Sequence, residues 1–165
     1  MSKILSYIDA MSRFIGKAVS ALSYFVAAVI IYEIFMRAIF SMPTAWVTES
    51  SIFACALIYL LGGAWVLLQD KHVRVDVFYG RFSRRGKAIL DSFTYPCFAL
   101  YILAMLWAAS KYTLRSALLL ETTMSPWNPP IWPMKIAMVL ALVLLFLQGT
   151  ANFIRNILIV TGRSQ

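Results

Sequence analysis

Charged residues inside long apolar stretches are the first candidates for chemistry in this sequence. Glu33 and Arg37 lie four residues apart, so on a helix they share one face and can pair in the favourable order, with the acid first. A carboxylate within a membrane can bind a proton or a cation, as in small multidrug exporters with four-helix protomers. The alternative interpretation is a structural ion pair near the outer boundary, in which Arg37 reaches the lipid headgroups.

Two further polar sets have regular spacing. His72, Arg74 and Asp76 alternate along the chain, so in an extended segment they point the same way and can hydrogen-bond a neighbouring chain. Their alternative role is local capping after an apolar stretch, together with charge that faces lipid. A third set, Gln148, Asn152 and Arg155, recurs at four- and three-residue steps and predicts a polar ridge on one helix. These few polar groups do not indicate a complete solute pathway in this chain alone.

The residues that hold cofactors are scarce. His72 is the only histidine, so this chain cannot supply both axial ligands of a bis-histidine haem. Cys55 and Cys97 each lie in an apolar run without CxxC or metal-type spacing, which predicts small packing residues. We therefore expect no catalytic site, metal or cofactor in this chain.

Composition indicates that the solvent of this protein is lipid. Of the 165 residues, 61% are hydrophobic and 13% charged, and the mean hydropathy is +0.77. The net charge of +8 could suggest nucleic acid, but the basic residues flank apolar runs instead of covering one soluble face. Anionic phospholipids, and not nucleic acid, are therefore the expected counter-charge.

The elements that must position these residues are membrane helices. Four stretches have the roughly 20 residues needed to cross the hydrocarbon, which predicts an all-α integral membrane protein with a single four-helix domain over residues 1–165. Before them, Ile4, Ile8, Met11 and Ile15 recur at helical spacing, with the polar Asp9 and Ser12 elsewhere around the helix. This pattern predicts an interfacial amphipathic helix. The predicted spans are 18–40, 50–68, 88–110 and 132–160.

The connecting segments predict the orientation. Segment 41–48 has no Lys or Arg, whereas segment 69–87 is rich in both, so the latter is expected in the cytoplasm. With four spans, both termini then lie on the cytoplasmic side. Four basic residues of this segment are expected to face anionic headgroups. They are Arg81, Arg84, Arg85 and Lys87.

Packing and boundary residues can also be assigned from the pattern. Gly62 and Gly63 lie on a helical stripe of the second span, where small residues allow another helix to approach. Thr48 and Glu49 are expected to cap the start of that span. Trp127 and Trp132 suit the headgroup boundary in a proline-rich outer loop, and Pro133 suits the first turn of the last span.

Several short motifs lie along the chain. They are Arg37 and Phe40 of an Arg-x-x-Phe motif, Trp46 and Glu49 of a Trp-x-x-Glu motif, His72 to Asp76 of a His-Val-x-Val-Asp motif, Trp127, Pro129, Pro130, Trp132 and Pro133 before the last span, and Gln148 within it. Together these motifs resemble the small membrane subunit (DctQ-like) of tripartite ATP-independent periplasmic (TRAP) transporters, and the resemblance covers nearly the whole chain. Ser50 stands where the family pattern usually has a second acidic residue.

The resemblance implies an accessory scaffold in a bacterial or archaeal inner membrane. A separate large membrane subunit would hold the substrate and Na⁺ sites, and a soluble periplasmic protein would deliver an organic anion such as a carboxylate. The motif residues would then be candidates for subunit contacts. Two alternatives remain open from the residues: a self-assembling proton-coupled exporter that uses Glu33, and a structural or lipid-binding anchor.

Overall fold

The computed structural model describes residues 2–69 and 82–161, and both parts are helical. Four of its segments are long and apolar enough to cross a membrane, of which the first combines α1 and α2. The prediction of an all-α protein with four possible spans is therefore confirmed. The helices are α1 (Ser2–Ser20), α2 (Leu22–Phe40), α3 (Ala45–Leu68), α4 (Arg84–Leu118) and α5 (Trp132–Val160).

The break between α1 and α2 lies at Ala21, inside the predicted first span of 18–40. Serine hydroxyls compete with the helix ladder on both sides of it. Ser20 Oγ donates to the carbonyl of Lys17 at 2.8 Å, and Ser23 Oγ donates to the carbonyl of Ser20 at 2.5 Å. Such bonds from side chain to backbone weaken and bend helices.

The turn between α2 and α3 is short. Ser41 adopts the left-handed conformation at φ 51°, and the amide of Met42 donates to the carbonyl of Met36 at 3.2 Å. This bond closes the helix end, and Pro43 cannot continue it. α3 then begins at Ala45 instead of at the predicted position 50, so Thr48 lies inside the helix and does not cap its start. The expectation of a Thr48 cap was wrong.

α4 is the longest helix. It starts after Ser83, whose hydroxyl accepts a hydrogen bond from the amide of Gly86 at 3.3 Å. It runs beyond the predicted end at position 110, because the polar Lys111 and Arg115 continue the helix outside the apolar stretch. Its 35 residues correspond to about 52 Å, well over the roughly 30 Å hydrocarbon core.

The helices pack as an open row and not as a closed bundle. α5 packs on α4 at one side and on α3 at the other, and α2 packs on the far side of α3. α1 lies across α3 and α5. Of the eleven buried apolar residues in the described part of the chain, six are alanine, so the helices approach each other through small side chains. Such packing is expected in lipid, where no hydrophobic driving force brings the helices together.

The packed face of α1 differs from its apolar stripe. The packed face carries Ser12, which is 1% exposed, together with Gly16 and Val19. The predicted apolar stripe lies beside it, and its members Ile4 and Met11 remain exposed. The hydrophobic pattern of α1 therefore did not identify the face that packs within the chain.

Candidate functional site

The Glu33 carboxylate joins the outer end of α2 to the start of α3. Arg37 Nε donates to Glu33 Oε1 at 2.6 Å, and the amide of Thr44 lies 3.2 and 3.3 Å from the two carboxylate oxygens. The Thr44 hydroxyl donates to the same group. Thr44 is the residue that precedes α3, so Glu33 supplies from a neighbouring helix the acceptor that a capping side chain normally provides.

At this junction the two members of the ion pair differ in how far they are exposed. Glu33 is only 8% exposed, whereas the Arg37 side chain is 59% exposed. Burying a carboxylate is costly unless several donors satisfy it, and the two donor groups of Thr44 do so together with Arg37. The geometry can therefore hold two helices together, and it leaves Arg37 partly free to reach polar surroundings.

The Trp-x-x-Glu motif, Trp46 to Glu49, lies beside this junction. Trp46 packs against Tyr32 of α2 with ring centroids 5.7 Å apart, and Val47 next to it is buried. Glu49 does not cap α3; its Oε2 accepts a hydrogen bond from Thr123 Oγ1 at 3.2 Å. Glu49 thus connects α3 to the loop between α4 and α5.

That loop, which we call the outer loop after its predicted position, is folded back on itself. The amide of Thr123 donates to the carbonyl of Pro129 at 3.1 Å, and the amide of Ile131 donates to the carbonyl of Glu121 at 2.9 Å. Asn128 has φ 53°, and its side-chain oxygen accepts from the amide of Met124 at 3.0 Å. The tip is therefore held by hydrogen bonds as well as by its prolines.

Side chains of this loop face in different directions. Trp127 and Pro130 are exposed, Pro129 is buried and Trp132 is half-buried at the start of α5. Pro133 lies in the first turn of α5, as predicted. Trp127 and Pro130 thus form an exposed apolar surface at the outer end of the row.

An ion pair anchors the loop to α5. Lys135 Nζ lies 2.5 Å from Glu121 Oε2. The bond from Lys135 holds the pKa of the Glu121 carboxyl below its ordinary value of 4.5. The loop and the start of α5 are therefore joined by a charge contact at neutral pH.

A second polar cluster lies toward the other end of the row, and Gln148 is its centre. Gln148 is 0% exposed. Its Oε1 accepts from Ser12 Oγ at 2.8 Å, and its Nε2 donates to Asp9 Oδ1 at 3.1 Å and to Asn152 Oδ1 at 3.3 Å. Burying an amide costs little free energy when its oxygen and its nitrogen are both hydrogen-bonded. Its hydrogen bonds also fix the orientation of the neighbouring side chains.

Arg155 and Asn152 complete this cluster. Arg155 Nη2 lies 2.6 Å from Asp9 Oδ2, and Arg155 Nη1 donates to Asn152 Oδ1 at 3.0 Å. Asn152 Nδ2 in turn donates to the carbonyl of Leu67 on α3 at 3.2 Å. The predicted polar ridge on α5 is thus a clamp, which we call the α1 clamp, joining α1, α3 and α5.

Asp9 and Ser12 were missed as cluster members by the sequence interpretation. Both were noted only as polar residues of an amphipathic helix. Their spacing of three residues, like that of Asn152 and Arg155, was the available signal that two polar stripes could meet. Which helix carried the matching stripe could not be read from one sequence.

Two glycines mark close approaches between helices. A Cβ atom on Gly149 would overlap the Phe98 ring, and one on Gly16 would overlap Trp65. By contrast, a Cβ on Gly62 would meet nothing within 4 Å, and one on Gly63 would only reach Leu145 at 4.0 Å. Among residues 2–69 and 82–161, no helix approaches closely at Gly62, so the predicted packing there stays a prediction for a partner.

The basic segment between α3 and α4 is described only in part. His72, Arg74, Asp76 and Arg81 lie outside the described residues. Arg84 is the first residue of α4, and Lys87 lies in its first turns. Arg85 Nη2 donates to the carbonyl of Val160 at 3.0 Å, which ties the start of α4 to the end of α5.

Comparison with known proteins agrees with this architecture. A family model described as "Tripartite ATP-independent periplasmic transporters, DctQ component" matches residues 26–158. The match covers α2 to α5 almost completely, including both ends of the outer loop and Gln148. No curated protein matches the sequence. The chain belongs to the DctQ-component family, the small membrane component of tripartite ATP-independent periplasmic transporters.

Proposed function

We propose that this chain is the fixed scaffold subunit of a sodium-coupled TRAP importer for a carboxylate or a related organic anion. In this function a separate large membrane subunit carries the substrate and Na⁺ sites, and a periplasmic protein delivers the substrate. The family match supports membership of such a complex. The described helices support the division of labour, because their polar groups are used in contacts between helices.

The observation that carries the proposal is the open row with an uncovered apolar face. In the outer half, Leu140 of α5 is 55% exposed, and Ile136 and Val143 flank it on the same side of α5. We call these three residues the docking face. Gln148 and Asn152 point to the other side of α5, where α1 lies.

An uncovered apolar face is normal against lipid, so exposure alone does not distinguish lipid from protein. The arrangement of the helices in a row favours protein as the molecule that covers this face. α2 and α4 lie at its two edges and have α3 and α5 between them, so one face of the central pair is left without any of the five described helices. A large partner packed there would convert the row into a closed assembly.

The proposed orientation places both termini and segment 69–87 in the cytoplasm. Arg85 and Lys87 then lie at the inner boundary, and the outer loop with Trp127 lies on the periplasmic side. α1 lies at the inner leaflet of a bacterial or archaeal cytoplasmic membrane, with Tyr7 and Phe14 exposed to its interface. Trp127 and Pro130 are then available to the periplasmic binding protein.

Glu33 has a structural function in this account. Its carboxylate is shared by Thr44 and Arg37, which leaves the exporter hypothesis without an uncommitted carboxylate at this position. A proton-coupled exporter would need that group to release its partners in every cycle. The scaffold needs it to stay bound.

Reconstitution tests the proposal. The organic acid bound to the co-purified periplasmic protein is identified by mass spectrometry and used as the labelled substrate in proteoliposomes. Sodium-dependent uptake is expected only when the large subunit, the binding protein and this chain are all present. Uptake at the full rate without this chain, or transport by this chain alone, would contradict the proposal.

A further inference from the structure

A groove runs between α1 and α3 in the inner half of the protein. It encloses about 370 Å³. Its walls are mainly apolar, and its polar contributors include the Ser20 hydroxyl and Tyr59. The lining includes Gly16, Val19, Ser20, Ile58, Gly62 and Val66.

The groove is built by two glycines that act in opposite ways. At Gly16 the helices touch, because a Cβ there would overlap Trp65. At Gly62 they do not, because a Cβ there would meet nothing within 4 Å. The contact at Gly16 therefore fixes the spacing of α1 and α3, and the bare backbone of Gly62 forms a floor that no side chain of residues 2–69 and 82–161 fills.

A second concave surface, of about 470 Å³, is lined by residues of α1. Arg13 of this surface and Ser20 of the groove are seven residues apart and therefore share one helix face. Arg13 and Lys17 line this surface, four residues apart and therefore on one helix face. Neither has an ion-pair partner in residues 2–69 and 82–161. The acid that also lines this surface, Asp9, is held by Arg155 at 2.6 Å.

The two surfaces together match the shape of a phospholipid. Arg13 and Ser20 are seven residues apart, which is about 10 Å along α1. Over that distance the surface changes from two cations to an apolar groove. A phosphate and an acyl chain require the same change over the same distance.

We propose that one anionic phospholipid binds here, with its phosphate between Arg13 and Lys17 and one acyl chain in the groove over Gly62. The charge pair distinguishes this site from ordinary lipid contact, because a zwitterionic lipid satisfies it less well. The site belongs to the surface of this chain alone. The proposed lipid site can therefore be tested independently of the transporter function.

Trp65 provides the probe, because it lines the groove while the other tryptophans lie elsewhere along the helices and the outer loop. The full chain is prepared with Trp46, Trp107, Trp127 and Trp132 replaced by phenylalanine and reconstituted in phosphatidylcholine vesicles. Trp65 fluorescence is then titrated with phosphatidylglycerol brominated on its acyl chains, or with phosphatidylcholine brominated in the same way. We expect half-maximal quenching at about tenfold less phosphatidylglycerol than phosphatidylcholine.

Two variants localise the effect. Arg13→Gln with Lys17→Gln should abolish the preference for phosphatidylglycerol, whereas Lys111→Gln with Arg115→Gln, a basic pair of the same spacing at the other end of the molecule, should leave it intact. Gly62→Leu should fill the groove and reduce quenching by both lipids. The charge variant alters exposed side chains only, so it tests the site even if Gly62→Leu does not fold.

The proposal is overturned if both brominated lipids quench Trp65 equally, or if the two charge variants behave alike. Occupation by the large subunit is a distinct outcome. It would appear as absence of selective quenching together with efficient crosslinking of a Gly62→Cys chain, with Cys55 and Cys97 replaced by alanine, to the co-expressed large subunit. That result would assign the groove to protein and reject the lipid site.

Discussion

Ser12 Oγ donates a hydrogen bond to Gln148 Oε1 at 2.8 Å, between two buried residues that are 136 positions apart in the chain. This contact joins the first helix to the last. Because Gln148 also binds Asp9 and Asn152, it holds the α1 clamp together from within α5. The clamp explains why a helix with an amphipathic sequence packs through a serine and a glycine.

Removing either partner should therefore loosen α1. Ser12→Ala should lower the free energy of unfolding by about 1 kcal/mol, since it leaves one oxygen of Gln148 without its donor. Gln148→Leu should cost more, because it also removes contacts to Asp9 and Asn152. Unfolding in mixed micelles with increasing dodecyl sulfate measures both.

A double-mutant cycle between these residues isolates the contact. The coupling energy should account for most of the Ser12→Ala effect. Ser110→Ala is the matched control, since Ser110 is exposed and its hydroxyl bonds only the carbonyl of Leu106 in its own helix. Additive effects of Ser12→Ala and Gln148→Leu would show that the hydrogen bond does not hold α1.

The Glu33 junction predicts a defect in stability and not in transport. Glu33→Gln retains an acceptor for Thr44 but loses the charge that attracts Arg37, so the unfolding free energy should fall by about 1–2 kcal/mol. Uptake by the assembled transporter should stay close to wild type once equal amounts are reconstituted. Thr44→Val, which removes the hydroxyl donor and keeps the amide, should show the same pattern.

The opposite result has a clear meaning. If Glu33→Gln folded with wild-type stability but abolished transport, the carboxylate would take part in proton or ion coupling. That outcome would support the exporter-type role that the sequence alone left open.

The sequence predicted single-helix properties better than contacts between helices. The start of α5 at Trp132 and its proline in the first turn followed from an uninterrupted apolar stretch after a proline-rich loop. The start of α3 did not follow from the local sequence, because the hydrogen-bond acceptor at this helix start is Glu33, which belongs to another helix. Ser12 was assigned to a polar face for the same reason: its partner lies on α5 and leaves no local trace.

The glycines give a matched pair of substitutions. Gly149→Ala should destabilise the packing of α4 on α5 by about 1–3 kcal/mol, because the new methyl group would overlap the Phe98 ring. Gly62→Ala should be neutral or slightly stabilising, since its methyl group meets nothing and alanine favours a helix. Equal unfolding free energies for the two variants would contradict the packing of α4 on α5 described above.

The outer loop should respond to acid. Because the pKa of Glu121 is lowered in the folded state, its pair with Lys135 contributes stability that is complete above the ordinary pKa of 4.5. This contribution is lost as the pH falls through the lower folded value. Thermal unfolding across that range should show the loss in the wild type and not in Glu121→Gln. Parallel pH profiles for the two proteins would exclude the contribution of this ion pair.

Assembly with the large subunit is the central claim, and affinity purification from nanodiscs tests it most directly. The tagged chain, co-expressed with the large membrane subunit of the transporter, should retain that partner at a constant ratio. Leu140→Trp, on the docking face, should lower the ratio, whereas Leu100→Trp on an exposed side of α4 should not. Purification of the wild-type chain without the large subunit, under conditions in which both are present in the membrane, would contradict the claim.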